Sequence, residues 1–132
     1  MKVNQLSVFV ENKKGRLSAI LSCLAEHGID IQALSLADTS EFGVLRLIVD
    51  QPDAAKALLR EQGVIVRLSE VLAVEMEHIP GGAAKILSLL SDGDVGVEYM
   101  YACTAEQDGR ALFYARVDDM DRAQEILLAA GY

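Results

Sequence analysis

The chain has 132 residues, 52% hydrophobic and 24% charged, with a formal net charge of -8 from 20 acidic and 12 basic side chains. That composition excludes a disordered chain, and an acidic balance uninterrupted by any basic stripe argues against a nucleic-acid partner. No apolar run approaches the roughly 20 residues that span a bilayer, so no membrane segment is expected, and the alternating start M-K-V-N-Q-L-S-V lacks the apolar core of a signal peptide.

In chain order, Leu6, Val8 and Val10 alternate and predict a strand with one buried face. The polar stretch E-N-K-K-G-R-L (11–17) then leads into a helical pattern of Leu17, Ile20, Leu21 and Leu24, which Gly28 closes in the left-handed role. I-D-I-Q-A-L-S-L reads as a second strand, and the A-D-T-S-E-F-G loop turns the chain into a third, V-L-R-L-I-V. Pro52 suits the first turn of a second helix, where a missing N–H costs little; Ala55, Leu58 and Leu59 form its stripe and Gly63 ends it. V-I-V-R-L is a fourth strand that runs almost directly into V-L-A-V-E-M, and there the plan begins again.

A shift of 66 residues aligns V-F-V-E-N-K-K-G-R-L-S-A-I-L-S with V-E-M-E-H-I-P-G-G-A-A-K-I-L-S without a gap, pairing Gly15/Gly81, Ile20/Ile86, Leu21/Leu87 and Ser22/Ser88. Further on, V-D-Q-P-D meets V-D-D-M-D and Gly63 meets Gly131. The second copy has Ile86, Leu87 and Leu90 on one helix and Ala123, Ile126 and Leu127 on the next, and stops at Gly131-Tyr132 with no fourth strand. The expectation is an α+β chain of two ferredoxin-like βαββαβ repeats, 1–68 and 69–132, packed together because about 65 residues alone bury little core. The second repeat lacks its last strand, so the edge beside L-A-V-E-M needs cover. V-I-V-R-L could supply it only through a tight turn at Ser69-Glu70; a strand from a second chain has no such constraint, which favours a homodimer.

The first strand, its loop and the helix start, followed by E-H-G-I-D-I, resemble the ACT domain, a ferredoxin-like regulatory module that binds amino acids. The family pattern is Asn or Asp near the end of the first strand, then Pro-Gly, then Leu or Val opening the helix. Copy one offers Asn12, Gly15 and Leu17 with Lys14 in place of Pro; copy two offers Pro80-Gly81 with His78 for Asn and Ala83 for Leu. The resemblance covers nearly the whole chain and implies a free-standing tandem ACT protein. It also implies a polar residue at the start of the second strand against the ligand's ammonium: Asp30, followed by Ile31, in copy one, and Gly96, with nothing to offer, in copy two.

The physics of the residues agrees with a ligand site at Asn12, Lys14, Gly15, Arg16, Leu17, Asp30 and Ile31. N–H groups opening a helix attract a carboxylate, Gly15 allows close approach, and Asn12 both donates and accepts. A second candidate site is His78, Pro80, Gly81 and Gly82. Plainer roles stand beside these. Asn12 is a good helix cap, Lys13, Lys14 and Arg16 suit solvent, Asp30 suits an exposed strand position, and His78 suits an ordinary loop. His27 complements a helix C-terminus, and Cys23 and Cys103, without CxxC spacing, read as buried small apolar residues and reduced thiols of a cytoplasmic protein. Metalloprotease, nucleophile-elbow, P-loop and metal-cluster patterns are all missing from the sequence. The expected function is therefore a non-catalytic sensor, without cofactor or metal, that binds an amino acid at a repeat or subunit interface. The aliphatic strands favour an apolar or branched-chain ligand. The alternatives are a structural interaction module or regulatory subunit of a metabolic enzyme, and, more remotely, a small acyl-phosphate hydrolase, for which Arg16 beside a glycine loop is the sole feature.

Overall fold

A computed structural model describes residues 1–38, 42–105 and 109–132. Residues 39–41, within the polar loop expected between the second and third strands, lie outside the described residues. The described residues form two compact units, Asn4–Ser69 and, together, Met1–Val3 with Glu70–Tyr132. Each is a ferredoxin-like α+β layer of strands under two helices.

The first unit takes β1 (Lys2–Glu11) from Asn4 onward, α1 (Arg16–Glu26), β2 (Ile31–Asp38), β3 (Phe42–Val49), α2 (Pro52–Glu61) and the start of β4 (Ile65–Glu77). Its strand order is β2-β3-β1-β4. β1 and β3 are antiparallel with Leu6 opposite Leu47 and Val8 opposite Leu45. Opposed residues share a face, so the alternation read from the sequence lays these four side chains in one buried row. Ile20 and Leu24 of α1 and Ala55 and Leu59 of α2 close over that row, with Leu17, Leu21 and Leu58 at its margins. Pro52 is the first residue of α2. Gly28 and Gly63 end α1 and α2 at φ 68 and 76, and the reversed bonds Ile29 N–H to Leu24 C=O and Val64 N–H to Leu59 C=O seal both ends.

The second unit contains the rest of β4, α3 (Gly82–Asp92), β5 (Val97–Ala105), β6 (Arg110–Val117) and α4 (Met120–Ala129). Its order is β4-β6-β5, with Leu72 opposite Ala115 and Val74 opposite Phe113. Ile86, Leu90, Ala123 and Leu127 cover that face. At the end of α3, Asp94 takes the left-handed turn at φ 60 that Gly28 takes in the first unit. Among the described residues no helix is long and apolar enough to cross a membrane.

V-I-V-R-L and V-L-A-V-E-M are one unbroken strand, β4, so the tight turn at Ser69-Glu70 is not made. The edge of the second unit is closed instead by the chain's own beginning. The Ala73 N–H donates to the Met1 carbonyl at 2.6 Å, Met1 packs on the second core, and Lys2 forms an ion pair with Asp121 at the start of α4. Met1 and the first two residues of β1 thus stand in the place of a fourth strand, and this edge gives no reason for a second chain. The thiols also depart from expectation: Cys23 is half-buried and Cys103 exposed. Cys103 lies on β5 opposite Leu112, itself 41% exposed, on the face turned away from the helix-covered row of Ala111 and Phe113.

Candidate functional site

Where β1 ends, the Lys13 N–H donates to the Glu11 carbonyl at 2.8 Å and the chain turns through Gly15 at φ 85. That left-handed angle is what requires glycine, since nothing lies within 4 Å of where a Cβ would stand. Gly15 is the residue that opens α1, and no side chain caps the helix. The capping role expected of Asn12 is therefore corrected: the left-handed turn at Gly15 sets Asn12 three positions too early. Arg16 N–H reaches the Lys13 carbonyl at 3.2 Å and Ala19 N–H the Gly15 carbonyl at 2.9 Å. Between them, the N–H groups of Leu17 and Ser18 have no backbone acceptor among the described residues. Asn12, Lys14, Gly15 and Arg16 are exposed and Leu17 half-buried, so the positive end of the helix faces solvent. Lys13 and Arg16 are not simply solvated, because both face the Glu11 carboxylate, at 3.2 and 3.9 Å.

Beside this loop lies a cavity of about 340 Å³. Its walls are Phe9, Val10 and Glu11 at the end of β1, Arg16, Ala19, Ile20 and Cys23 of α1, Phe42 at the start of β3, and Leu59 with the 62–65 turn after α2. The α1 residues stand at i, i+3, i+4 and i+7, hence on one helical face. Sequence reasoning missed the cavity because its far wall comes from α2. The signal available was the small Ala19 and Cys23 on a face otherwise set to pack.

Asp30 and Ile31 are at the other end of α1. Eleven helical residues separate them from the loop by roughly 16 Å, so the structure gathers Asn12, Lys14, Gly15, Arg16 and Leu17 but leaves Asp30 and Ile31 apart from them. There the Asp30 N–H donates to Asp50 Oδ1 at 2.9 Å, and the Asp50 N–H returns a bond to the Asp30 carbonyl at 3.1 Å. The second unit repeats the clasp: Gly96 N–H to Asp118 Oδ1 at 3.0 Å and Asp118 N–H to the Gly96 carbonyl at 3.0 Å. Asp50 and Asp118 carry no assignment in the sequence reading, although the V-D-Q-P-D/V-D-D-M-D match had aligned them.

The second loop has the same backbone, with Gly81 at φ 89 opening α3 and Gly82 N–H bonded to the Ile79 carbonyl at 3.1 Å. His78, Pro80 and Gly81 are exposed and gathered here with Gly82; the His78 N–H donates to the Gly109 carbonyl at 2.8 Å. A Cβ on Gly82 would stand 2.5 Å from the Glu77 carbonyl oxygen. A cavity of about 570 Å³ lies in the corresponding place, but charged groups line it: Glu75 paired with Arg110, Glu77, and Lys85, whose ammonium sits 5.9 Å from the Tyr132 ring centre.

The profile of a family described as "ACT domain pair" matches residues 1–131. No curated protein matches the sequence. Among solved structures, a protein from Bacteroides thetaiotaomicron is 36% identical with a TM-score of 0.93, covering 98% of this chain and 89% of its own. The ligand-free regulatory subunit of aspartate kinase from Thermus thermophilus shares the fold at a TM-score of 0.70 and 15% identity, covering 98% of this chain and 93% of its own. Aspartate kinase from Synechocystis does so at 0.61 and 22%, over 98% of this chain and 25% of its own.

Proposed function

The chain belongs to the ACT domain pair family, and from that premise we propose that it is a non-catalytic regulatory protein that binds a small amino acid at the Asn12–Leu17 loop. The observation that carries this is the glycine turn at Gly15, which leaves the Leu17 and Ser18 N–H groups without a described backbone acceptor beside a cavity of about 340 Å³. Such N–H groups receive a carboxylate. Asn12, Lys14 and Arg16 flank Gly15 in the sequence and would offer polar contacts there, and Gly15 would let the ligand approach the backbone. Asp30 and Ile31 join such a site only where a second copy of the chain supplies the loop. The His78–Gly82 loop would be a second, differently charged site. Binding would act by changing the packing of a partner, either a second copy of the chain or a metabolic enzyme, in a cytoplasmic setting.

A thermal-shift screen against the twenty amino acids tests the proposal. A ligand at 100 times its dissociation constant stabilises by about 2.7 kcal/mol, several degrees in a chain of this size. Asn12→Ala should then weaken the best ligand about tenfold while moving the unfolding free energy by less than about 0.5 kcal/mol, because Asn12 is exposed and caps nothing. If none of the twenty shifts the midpoint, the chain is a structural interaction module.

A further inference from the structure

We propose that the cavity of the first unit takes an amino acid with an aliphatic side chain, and that Glu11 holds its ammonium group. This rests on the amino-acid-binding role proposed above and goes beyond it by naming the ligand class and the acidic partner.

Two features of the cavity select the ligand. Its walls carry the branched side chains of Val10, Ile20, Leu59, Val64 and Ile65 beside the rings of Phe9 and Phe42, with Gln62 among the polar groups. Its polar groups include one side chain of each sign, Glu11 and Arg16, 3.9 Å apart. A zwitterionic head group placed between them sets its ammonium on Glu11 and its carboxylate on Arg16 and the opening N–H groups of α1. Glu11 also faces the Lys13 ammonium at 3.2 Å; such exposed ion pairs are worth little by themselves, so parting them for charge-assisted contacts to the ligand is favourable. A volume of about 340 Å³ is near the lower end for ligand sites and suits a small molecule. The ordinary candidate for the ammonium, Asp30, is roughly 16 Å away along α1. The corresponding cavity of the second unit sets Glu75, Glu77, Lys85 and Arg110 beside Met76, Ile79 and Pro80, so a zwitterionic head group meets two side chains of each sign there instead of one.

Calorimetry with L-leucine and with 4-methylpentanoate, which keeps the carboxylate and side chain but lacks the amine, separates the roles. Wild type should bind leucine more tightly than the amine-free acid. Glu11→Gln should weaken leucine roughly tenfold to a hundredfold and leave 4-methylpentanoate unchanged. Cys23→Leu, which narrows the cavity without touching the charges, should weaken both ligands, with its melting curve reporting that it folds. The assignment is overturned if leucine binding ignores Glu11→Gln, or if an aromatic, charged or hydroxylated amino acid binds wild type more tightly than leucine. In either case some amino acid still binds and the general role stands. If no amino acid binds wild type at all, both fall.

Discussion

In the first unit a left-handed Gly15 passes β1 to a helix whose next residue is Arg16; in the second, Gly81 does the same and the next residue is Gly82. The turns match to within a few degrees, yet Arg16 has room for its side chain while a Cβ on Gly82 would meet the Glu77 carbonyl at 2.5 Å. The two copies have kept a backbone and diverged in what the backbone presents. One offers a cavity with one acidic and one basic side chain among its walls, the other a cavity with two of each. A duplicated fold can hold two recognition surfaces because its glycines fix the turn and leave the flanking residues free to change.

Exchanging the flanking residues should produce the largest effect. Gly82→Arg presses a Cβ against a backbone oxygen that cannot rotate away, and should destabilise by about 2–3 kcal/mol. The reciprocal Arg16→Gly loses an exposed 3.9 Å ion pair and some helix propensity, about 1 kcal/mol. Urea unfolding of the two variants measures the asymmetry; equal costs would mean that the second loop relaxes freely.

The second contrast is where each unit finds its fourth strand. The first uses the start of β4, continuous with the chain from α2; the second borrows Met1–Val3. Removing residues 1–3 should therefore loosen the second unit, by about 1–2 kcal/mol for one lost ladder and the Met1 contact. It should also expose the β4 edge to association. Amide exchange at Ala73 should accelerate while amides of α1 and α2 keep their protection, and light scattering should show self-association above the 14.3 kDa chain.

The borrowed strand explains why the fold was largely legible in the sequence and this detail was not. Periodicity located every helix stripe, and Gly28, Gly63 and Pro52 marked ends that the structure keeps, because those signals are local. Alternation tells which face of a strand is buried but not which neighbour it pairs with, so M-K-V could not be assigned to the far copy. A clue existed: V-I-V-R-L-S-E-V-L-A-V-E-M contains no Gly, Pro, Asn or Asp, and without turn chemistry it should have been read as one strand. The loop residues of the candidate site were also legible, being contiguous. Its cavity was not, since Leu59 and the 62–65 turn are distant in sequence. Asn12 misled because a good capping residue caps only where the backbone puts it one step before the helix.

A smaller effect comes from the helix ends. α1 ends with Gly28 at φ 68, α3 with Asp94 at φ 60, the sole described non-glycine residue with positive φ. Side chains other than glycine's cost about 1 kcal/mol there, somewhat less for Asp. Asp94→Gly should thus stabilise the second unit by about 0.5 kcal/mol, while Gly28→Asp should destabilise the first by a similar amount. Paired thermal melts check both signs, and a loss of stability in Asp94→Gly would mean that the Asp94 side chain makes a favourable contact.

The smallest effect is the pH dependence of the clamp that holds the borrowed strand. Lys2 and Asp121 pair in the second unit, where the fourth strand is borrowed; the first unit has a fourth strand continuous with its own chain. The hydrogen bond to Lys2 holds the Asp121 carboxyl below its ordinary 3.8, and the same bond holds Lys2 above its ordinary 10.5. A carboxyl lowered by folding stabilises fully above 3.8 and loses that contribution as pH falls through its folded value. A raised lysine contributes fully below 10.5 and loses its contribution as pH climbs through its own folded value. The pair therefore holds across the neutral range and fails at both extremes. Both groups are solvent-exposed, so salt should weaken the effect. In low salt, the urea midpoint of wild type should exceed that of Asp121→Asn at neutral pH, and the gap should close as pH drops below 3.8. Amide exchange at Ala73 should follow the same course while α1 amides do not. A gap that stays constant down to acid pH would show that Asp121 acts through the helix start alone, and that the borrowed strand is held by its backbone bond and by Met1.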